Sequence, residues 1–458
     1  MFCNHCYFTG FSYIIQAEKK IIRPGEKIKN TFLLFLQRLW ITTDFFTRNR
    51  LMNHASACAY GFLLSTAPVL LFLSFVVSKA LSATPKLVEG LLSQIGYVFG
   101  VFEITDPVNN FLSSAGSGLA GFISVFSVLF AIRFCAISVQ RGLGVIFPGR
   151  RSVLRENAVT LGFGLFAMLV ILIALLWIRS VINLINLTGL RSFKFFIPLF
   201  TNSPRLTLFS SLALLTFTAY RFIPANPPKI KYIIFGVLVC VVFYGIFAVG
   251  FSLLISPERY NLLYGTLGRL FLFVVNIYFF FTFFLFGAQM IHVLGASDAL
   301  LFASFRQVHS KGIPPKMLVD KLFFRLPSPL KKYVVFYREG DPIYARHSPG
   351  QEVYFILSGE AGVYLDNDYR NKINTIDEMS FFGESSSVTS DTPEGRTASI
   401  KAETDMSVLM LPSELFCLIQ QLDPKTDQEL VRALTERLKT ADDQIRVFKT
   451  NAGKNPKP

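Results

Sequence analysis

Residues 51–300 carry only 16 Lys or Arg and 6 Asp or Glu among 250 positions, about a third of the roughly 25% charged content of a globular chain. Residues 301–458 carry 21 of each sign, the density of a soluble domain. The charge deficit is concentrated, and it divides the chain into a membrane module and a soluble module. Runs of about 20 apolar residues cross a hydrocarbon core of about 30 Å, and a helix is the open-chain structure that satisfies its own backbone there. Six runs qualify, near 58–78, 117–137, 158–178, 205–223, 232–255 and 269–292. The expected fold class is a polytopic α-helical membrane domain of six transmembrane helices plus a soluble cytoplasmic β-roll domain flanked by helices.

The formal net charge of +15 lies entirely in the first 300 residues. Positive charge flanking apolar spans orients a chain in a membrane, so the basic balance is read as topology and nucleic acid is excluded as a partner. An even number of spans puts both termini on one side. Eight Lys or Arg precede the first span, Arg141, Arg150, Arg151 and Arg155 follow the second, and Lys229 and Lys231 follow the fourth. Those faces are expected to be cytoplasmic. Lys79, Lys86 and Arg259 mark the poorer opposite loops, while Arg179, Arg191, Lys194 and Arg205 between spans three and four dissent. Residues 32–50 are too interrupted to span and read as an interfacial helix.

Six scattered cysteines outline no disulfide framework. Cys3-Asn-His-Cys6 has no second Cys/His pair nearby, so no metal and no further cofactor is expected. Enzyme chemistry is also discounted, since no nucleophile and base, and no metal constellation, is spaced for it. Polar residues within spans are the membrane-domain candidates: Arg133, Gln140 and Arg141 toward the end of the second, and Asn276, Gln289 and His292 in the sixth. Three have a plainer reading beside a substrate contact: Arg133 snorkels to headgroups or bonds to a neighbouring helix, and Gln289 and His292 bond helix to helix. Gly116-x-Gly118-x-x-Gly121 and Gly162-x-Gly164 open no helix after a soluble strand, so close helix packing accounts for them. Pro68 within the first span reads as a kink or as a break in a discontinuous helix.

Ala59-Tyr60 with Ser65-x-x-Pro68, the string Arg133 to Phe147, Tyr220-Arg221-Phe222-Ile223-Pro224, Tyr260-x-x-x-Tyr264-Gly265-Thr266-Leu267-Gly268 and Gly287-Ala288-Gln289 are more particular than apolarity requires. Together they resemble the YihY/BrkB family of bacterial inner-membrane proteins over about residues 35–295. The resemblance implies a multi-pass protein of the bacterial inner (cytoplasmic) membrane, and the span count and loop charges place its N- and C-termini in the cytoplasm. Members are described as virulence or serum-resistance factors or as transporters without a settled substrate; an old ribonuclease label finds no His/Asp metal cluster here.

Beyond residue 300 a basic helical stretch gives way to short alternating runs, Tyr333–Arg338, Val353–Leu357, Ala361–Leu365, Arg396–Lys401 and Ser407–Leu411, with turns at Gly340-Asp341 and Ser358-Gly359-Glu360. Such spacing predicts a small antiparallel β-roll. An arginine fork, the N–H groups of a tight glycine turn and a carboxylate are the parts that hold a phosphate and a ribose. Gly383-Glu384 and Arg396-Thr397-Ala398 supply them, and the order GD, SGE, FGE, RTA resembles the cyclic nucleotide-binding domain over about residues 315–450. That resemblance implies that Arg396 holds the cyclic phosphate, Glu384 the ribose 2′-hydroxyl, and Gly383, Ser385, Thr397 and Ala398 line the cradle. Ser385-Ser386-Ser387 and a long Glu384-to-Arg396 interval depart from the family pattern. The alternative is a β-roll without nucleotide, in which Arg396 pairs with Glu384 or Asp391.

The tail 425–448 repeats apolar residues at 3-4-3-4-3 spacing from Val431 to Phe448 and predicts an amphipathic helix, packed on the roll or on a twin in a homo-oligomer. The expected organisation is a cytoplasmic segment with its interfacial helix over 1–50, the six-span domain over 51–297, a helical linker over 298–325, the nucleotide-binding-like domain over 326–450 and a disordered tail over 451–458. Two functions follow as expectations: a transporter or exporter regulated by cyclic AMP or cyclic GMP, or a non-transporting envelope assembly factor whose β-roll is a degenerate interaction module. The expected partners are the lipid bilayer, a cyclic nucleotide and a second copy of the chain.

Overall fold

The computed structural model describes residues 24–79, 118–149, 152–187, 203–254, 257–309, 318–384, 395–422, 431 and 435. Two compact units emerge, one running Ile41–Gly295, the other joining the residues up to Trp40 with those from Ala296 onward. Each is taken by itself.

The helices of the first unit are α1 (Pro24–Arg48, from Ile41 on), α2 (Leu51–Lys79), α3 (Gly118–Ile146), α4 (Val153–Leu187), α5 (Ser203–Phe222), α6 (Ile230–Leu254) and α7 (Pro257–Gly295). Each of the six predicted spans lies within one of α2 to α7 or overruns it by a single residue. Among the described residues three segments are long and apolar enough to cross a bilayer: Val153–Ala174, Ile230–Phe251 and Leu270–Gly295. Helix α2 packs on α3 and α7, α3 on α4, and α6 on α5 and α7. Their shared core gathers Leu51, Ala55 and Cys58, Val139 and Leu143, Tyr220 and Ile233, and a run of phenylalanines on α7 that includes Phe281 and Phe284. Helix α2 continues through Pro68, so this proline does not divide the span into two helices. Its missing N–H removes one rung of the ladder.

Helices α6 and α7 approach each other backbone to backbone. A Cβ built on Gly287 would lie 2.7 Å from the Gly236 carbonyl oxygen and 2.7 Å from Tyr220 Oη, and one built on Gly236 would run into the Ile291 side chain. Tyr220 Oη donates to the Phe284 carbonyl at 2.5 Å, satisfying a buried hydroxyl in the same seam. Close packing is also expected at Gly116-x-Gly118-x-x-Gly121, whose surroundings lie outside the described residues, and at Gly162-x-Gly164. At Gly162 the structure corrects this: among the described residues a Cβ there would meet nothing within 4 Å, because that residue faces away from the seams α4 makes.

In the second unit two four-stranded antiparallel sheets form the roll. One has the order β1 (Val334–Tyr337), β8 (Met406–Leu411), β3 (Val353–Ser358), β6 (Phe381–Phe382), the other β2 (Pro342–Tyr344), β7 (Ser399–Ala402), β4 (Ala361–Tyr364), β5 (Lys372–Ile376). All six residues of β3 are buried. Side chains alternate along a strand, so Tyr354 and Ile356 pack between the sheets with Ile400, Ala402 and Val408, while Val353, Phe355 and Leu357 turn outward against helices. Those helices are α8 (Ser297–His309) and α10 (Ser413–Leu422), which contribute Ala299, Phe302, Phe305, Phe416 and Ile419 to the same cluster. Helix α8, within the stretch expected as a helical linker, thus packs into the core of the roll. Helix α9 (Leu318–Phe323) adds the buried Phe323, and Gln37 of α1 donates to the Leu322 carbonyl at 2.9 Å. The 425–448 tail, Cys3 and Cys6 lie outside the described residues, Val431 and Thr435 excepted.

Phe302 is fully buried and stands edge-on to Phe355, ring centroids 5.1 Å apart. Phe302→Ala is expected to destabilise the roll by about 3–5 kcal/mol. Hydrogen exchange on the full-length protein checks this: β3 amides should lose at least about a hundredfold of protection, and unchanged protection would show that α8 is not part of the roll's core.

Candidate nucleotide site and polar groups of the membrane unit

Arg396 enters the roll three residues ahead of the start of β7, and its backbone is fixed on both sides to the loop after β2. His347 N–H donates to the Arg396 carbonyl at 2.8 Å, and Arg396 N–H donates to the Ser348 carbonyl at 3.2 Å. The side chain is 3% exposed. A guanidinium this deep needs acceptors, and it has them. Nη1 donates to the Gly383 carbonyl at 2.9 Å, Nη2 to the Glu352 carbonyl at 2.9 Å and to Glu352 Oε2 at 3.2 Å. Its Cζ lies over the Tyr344 ring, 4.4 Å from the centroid, within cation–π range.

Strand pairing brings these acceptors together. Glu352 immediately precedes β3, Gly383 immediately follows β6, and the two strands pair with Tyr354 opposite Phe382, their rings stacked at 5.0 Å. Gly383 has φ of +79°, and a Cβ on it would come within 2.7 Å of Arg396 Nη1. Only glycine offers that backbone and that space together. Glu384 beside it is buried. Burial also pushes the Tyr354 phenol above its ordinary pKa, with the Arg396 charge opposing, so it stays a neutral hydroxyl.

The structure therefore brings Gly383, Glu384 and Arg396 to one end of the roll. Thr397 is exposed and Ala398 half-buried on the same segment; Ser385 and Asp391 lie outside the described residues. Arg396 pairs with Glu352, a residue that the sequence reading missed. The two are 44 residues apart, and no local motif marks Glu352. Tyr344 was missed for the same reason.

The membrane-domain candidates do not form one group. Helix α3 continues to Ile146, well past the predicted end of its span, so Arg133 stands at mid-helix, on an exposed face. Gln140 Nε2 bonds to the Glu156 carboxylate, and its Oε1 accepts from Thr160 Oγ1 at 2.5 Å, linking α3 to α4. Asn276 Oδ1 accepts from Tyr244 Oη at 2.9 Å, linking α6 to α7. Both are bonds between neighbouring helices. Gln289 and His292, one turn apart on α7, are different. Gln289 is fully buried, and neither its side-chain nitrogen nor its oxygen has a partner among the described residues; His292 Nδ1 is likewise buried without one. The His292 ring stands edge-on to Phe147 at 6.1 Å. Among the described residues no three His, Cys, Asp or Glu converge as metal ligands.

The family model described as Virulence factor BrkB matches residues 42–300, more than half of the chain. The chain belongs to the BrkB family. In the same chain the cyclic nucleotide-binding domain model matches residues 334–419, the span holding Glu352, Gly383 and Arg396. The BrkB match and the apolar helices make this a membrane protein. No curated protein matches. Solved structures similar to this BrkB-family chain include the Thermus thermophilus catabolite activator protein, 28% identical, covering 25% of this chain and 54% of its own, TM-score 0.22. Others are the EAL enzyme Bd1971 in its cGMP-bound form, 23% identical, covering 26% and 33%, TM-score 0.19, and cAMP-bound PfPKA-R, 19% identical, covering 32% and 48%, TM-score 0.24. The chain thus spans about half the length of the catabolite activator.

Proposed function

We propose that this BrkB-family protein is a multi-pass protein of the bacterial inner membrane, crossing six times with both termini cytoplasmic. In this reading its β-roll binds cyclic AMP or cyclic GMP, and binding shifts the conformation of a membrane unit that moves a solute. It is not an enzyme. The observation that carries the reading is the fusion itself: a BrkB segment and a cyclic nucleotide-binding segment share one chain, with a single residue, Ala296, between helices α7 and α8. A ligand shifts such an equilibrium only by its difference in affinity for the two states, about 1–3 kcal/mol of coupling in ordinary allosteric proteins. On the membrane side, the Gln289 side-chain amide and His292 Nδ1, buried without a hydrogen-bond partner among the described residues, support a polar path, since orphaned polar atoms in a dry core cost about 1–3 kcal/mol each.

The bond from Arg396 to Glu352 favours a second reading, a roll that serves only as an assembly surface. Full-length protein in nanodiscs, titrated calorimetrically with cyclic AMP and with cyclic GMP, separates the two. Saturable binding with a Kd in the micromolar range is expected, and a well-folded protein that gives no heat with either nucleotide would leave the assembly reading standing. The transport half needs reconstituted vesicles, in which nucleotide on the β-roll side should change the flux.

A further inference from the structure

Resting on the nucleotide-binding reading, we propose that Glu352 is a built-in competitor for the phosphate of the nucleotide, an internal anion that must leave Arg396 before the ligand can take its place. Among the described residues Arg396 makes two kinds of bond. Its bonds to the Gly383 and Glu352 carbonyls involve backbone fixed by the β3 and β6 pairing, and Tyr344 supports its face. These hold the guanidinium plane in position whatever else it binds. The third bond, from Nη2 to Glu352 Oε2 at 3.2 Å, is to a side chain that is 45% exposed and can swing away by rotation about its own bonds.

The two anions are matched in charge. A carboxylate carries one negative charge, as does a cyclic phosphodiester, and both accept from the arginine fork. Exchanging one for the other restores the same charge balance, so Arg396 is compensated both before and after the exchange. The space is tight as well: a Cβ on Gly350 would lie 3.0 Å from Arg396 Nη2 and 3.0 Å from Glu352 Oε2. A phosphate that takes the Nη2 hydrogen now given to Glu352 Oε2 displaces the carboxylate. Glu352 therefore sets the nucleotide concentration at which the domain responds.

Substituting Glu352→Gln removes the charge and keeps the shape. In full-length protein in nanodiscs, titrated with cyclic AMP and cyclic GMP, the Glu352→Gln variant is expected to bind about fivefold more tightly than the wild type, the upper range for an ion pair with one exposed member. Glu352→Asp, which withdraws the carboxylate by one methylene, should fall between the two and serves as the comparison if the glutamine variant folds poorly. Binding seen in the variant alone would also support the proposal, as complete occlusion in the wild type. Saturable wild-type binding that the glutamine variant matches or weakens would overturn it while leaving the nucleotide reading intact. No saturable binding in any folded protein would overturn both.

Discussion

Arg396→Ala is expected to weaken nucleotide binding by about a hundredfold or more. Hydrogen bonds from a charged donor are worth about 1.5–3 kcal/mol each, a hundredfold in affinity is about 2.7 kcal/mol, and a phosphate on this fork would draw on at least one such bond plus the charge. The loss has a structural component too. Alanine leaves the Gly383 and Glu352 carbonyls without the donor that now satisfies them, so part of the effect is a disordered cradle. Arg396→Lys separates the parts: it keeps the charge, but a single ammonium cannot reproduce a planar fork bonded to the Gly383 and Glu352 carbonyls and lying over Tyr344. It should therefore retain some affinity, about tenfold below wild type. Calorimetry on the full-length proteins reads both values. If Arg396→Ala bound as well as wild type, the phosphate would be held elsewhere.

The readable and unreadable parts of this site differ by the kind of information they need. Arg396, Gly383 and Glu384 stand out in the sequence because each sits in a short string whose chemistry is local: a glycine that takes positive φ, a carboxylate next to it, an arginine entering a strand. Glu352 and Tyr344 act on Arg396 only because β3 pairs with β6 and the loop after β2 pairs with the Arg396 backbone. Strand pairing is a long-range event, and a composition or spacing rule confined to one window does not contain it. The same distinction holds in the membrane unit. Apolar length alone located all six helices α2 to α7, since lipid or core burial demands apolarity all round. It did not show which residues meet. Gly162 and Gly287 look alike in sequence, each flanked by apolar residues, yet one faces open space and the other a backbone carbonyl. Nor did it separate Gln140 and Asn276, which bond to neighbouring helices, from Gln289, whose two polar atoms are buried without partners among the described residues.

That contrast gives the second large effect. Gly287→Ala is expected to destabilise the membrane unit by about 3 kcal/mol or more, at or above the top of the usual overpacking cost of about 1–3 kcal/mol. The added methyl would sit 2.7 Å from the Gly236 carbonyl oxygen and from Tyr220 Oη, and the first of these is backbone that no rotamer change can move. Relief would require α6 and α7 to separate, which breaks the contacts of Ile291 with Gly236 and puts the bond from Tyr220 to the Phe284 carbonyl under strain. Gly162→Ala is the matched control. Its methyl meets nothing within 4 Å among the described residues, and alanine is favoured over glycine in a helix by about 1 kcal/mol, so it should be neutral or stabilising. Unfolding of the two purified variants in the same detergent, followed by the loss of the monodisperse peak on heating, should place Gly287→Ala well below wild type and Gly162→Ala at or above it. Equal behaviour of the two would mean that the Gly236 and Gly287 seam is not where these helices touch. A Gly287 defect that Tyr220→Phe partly relieves would locate the clash at the hydroxyl, and one that it leaves unchanged would locate it at the backbone of α6.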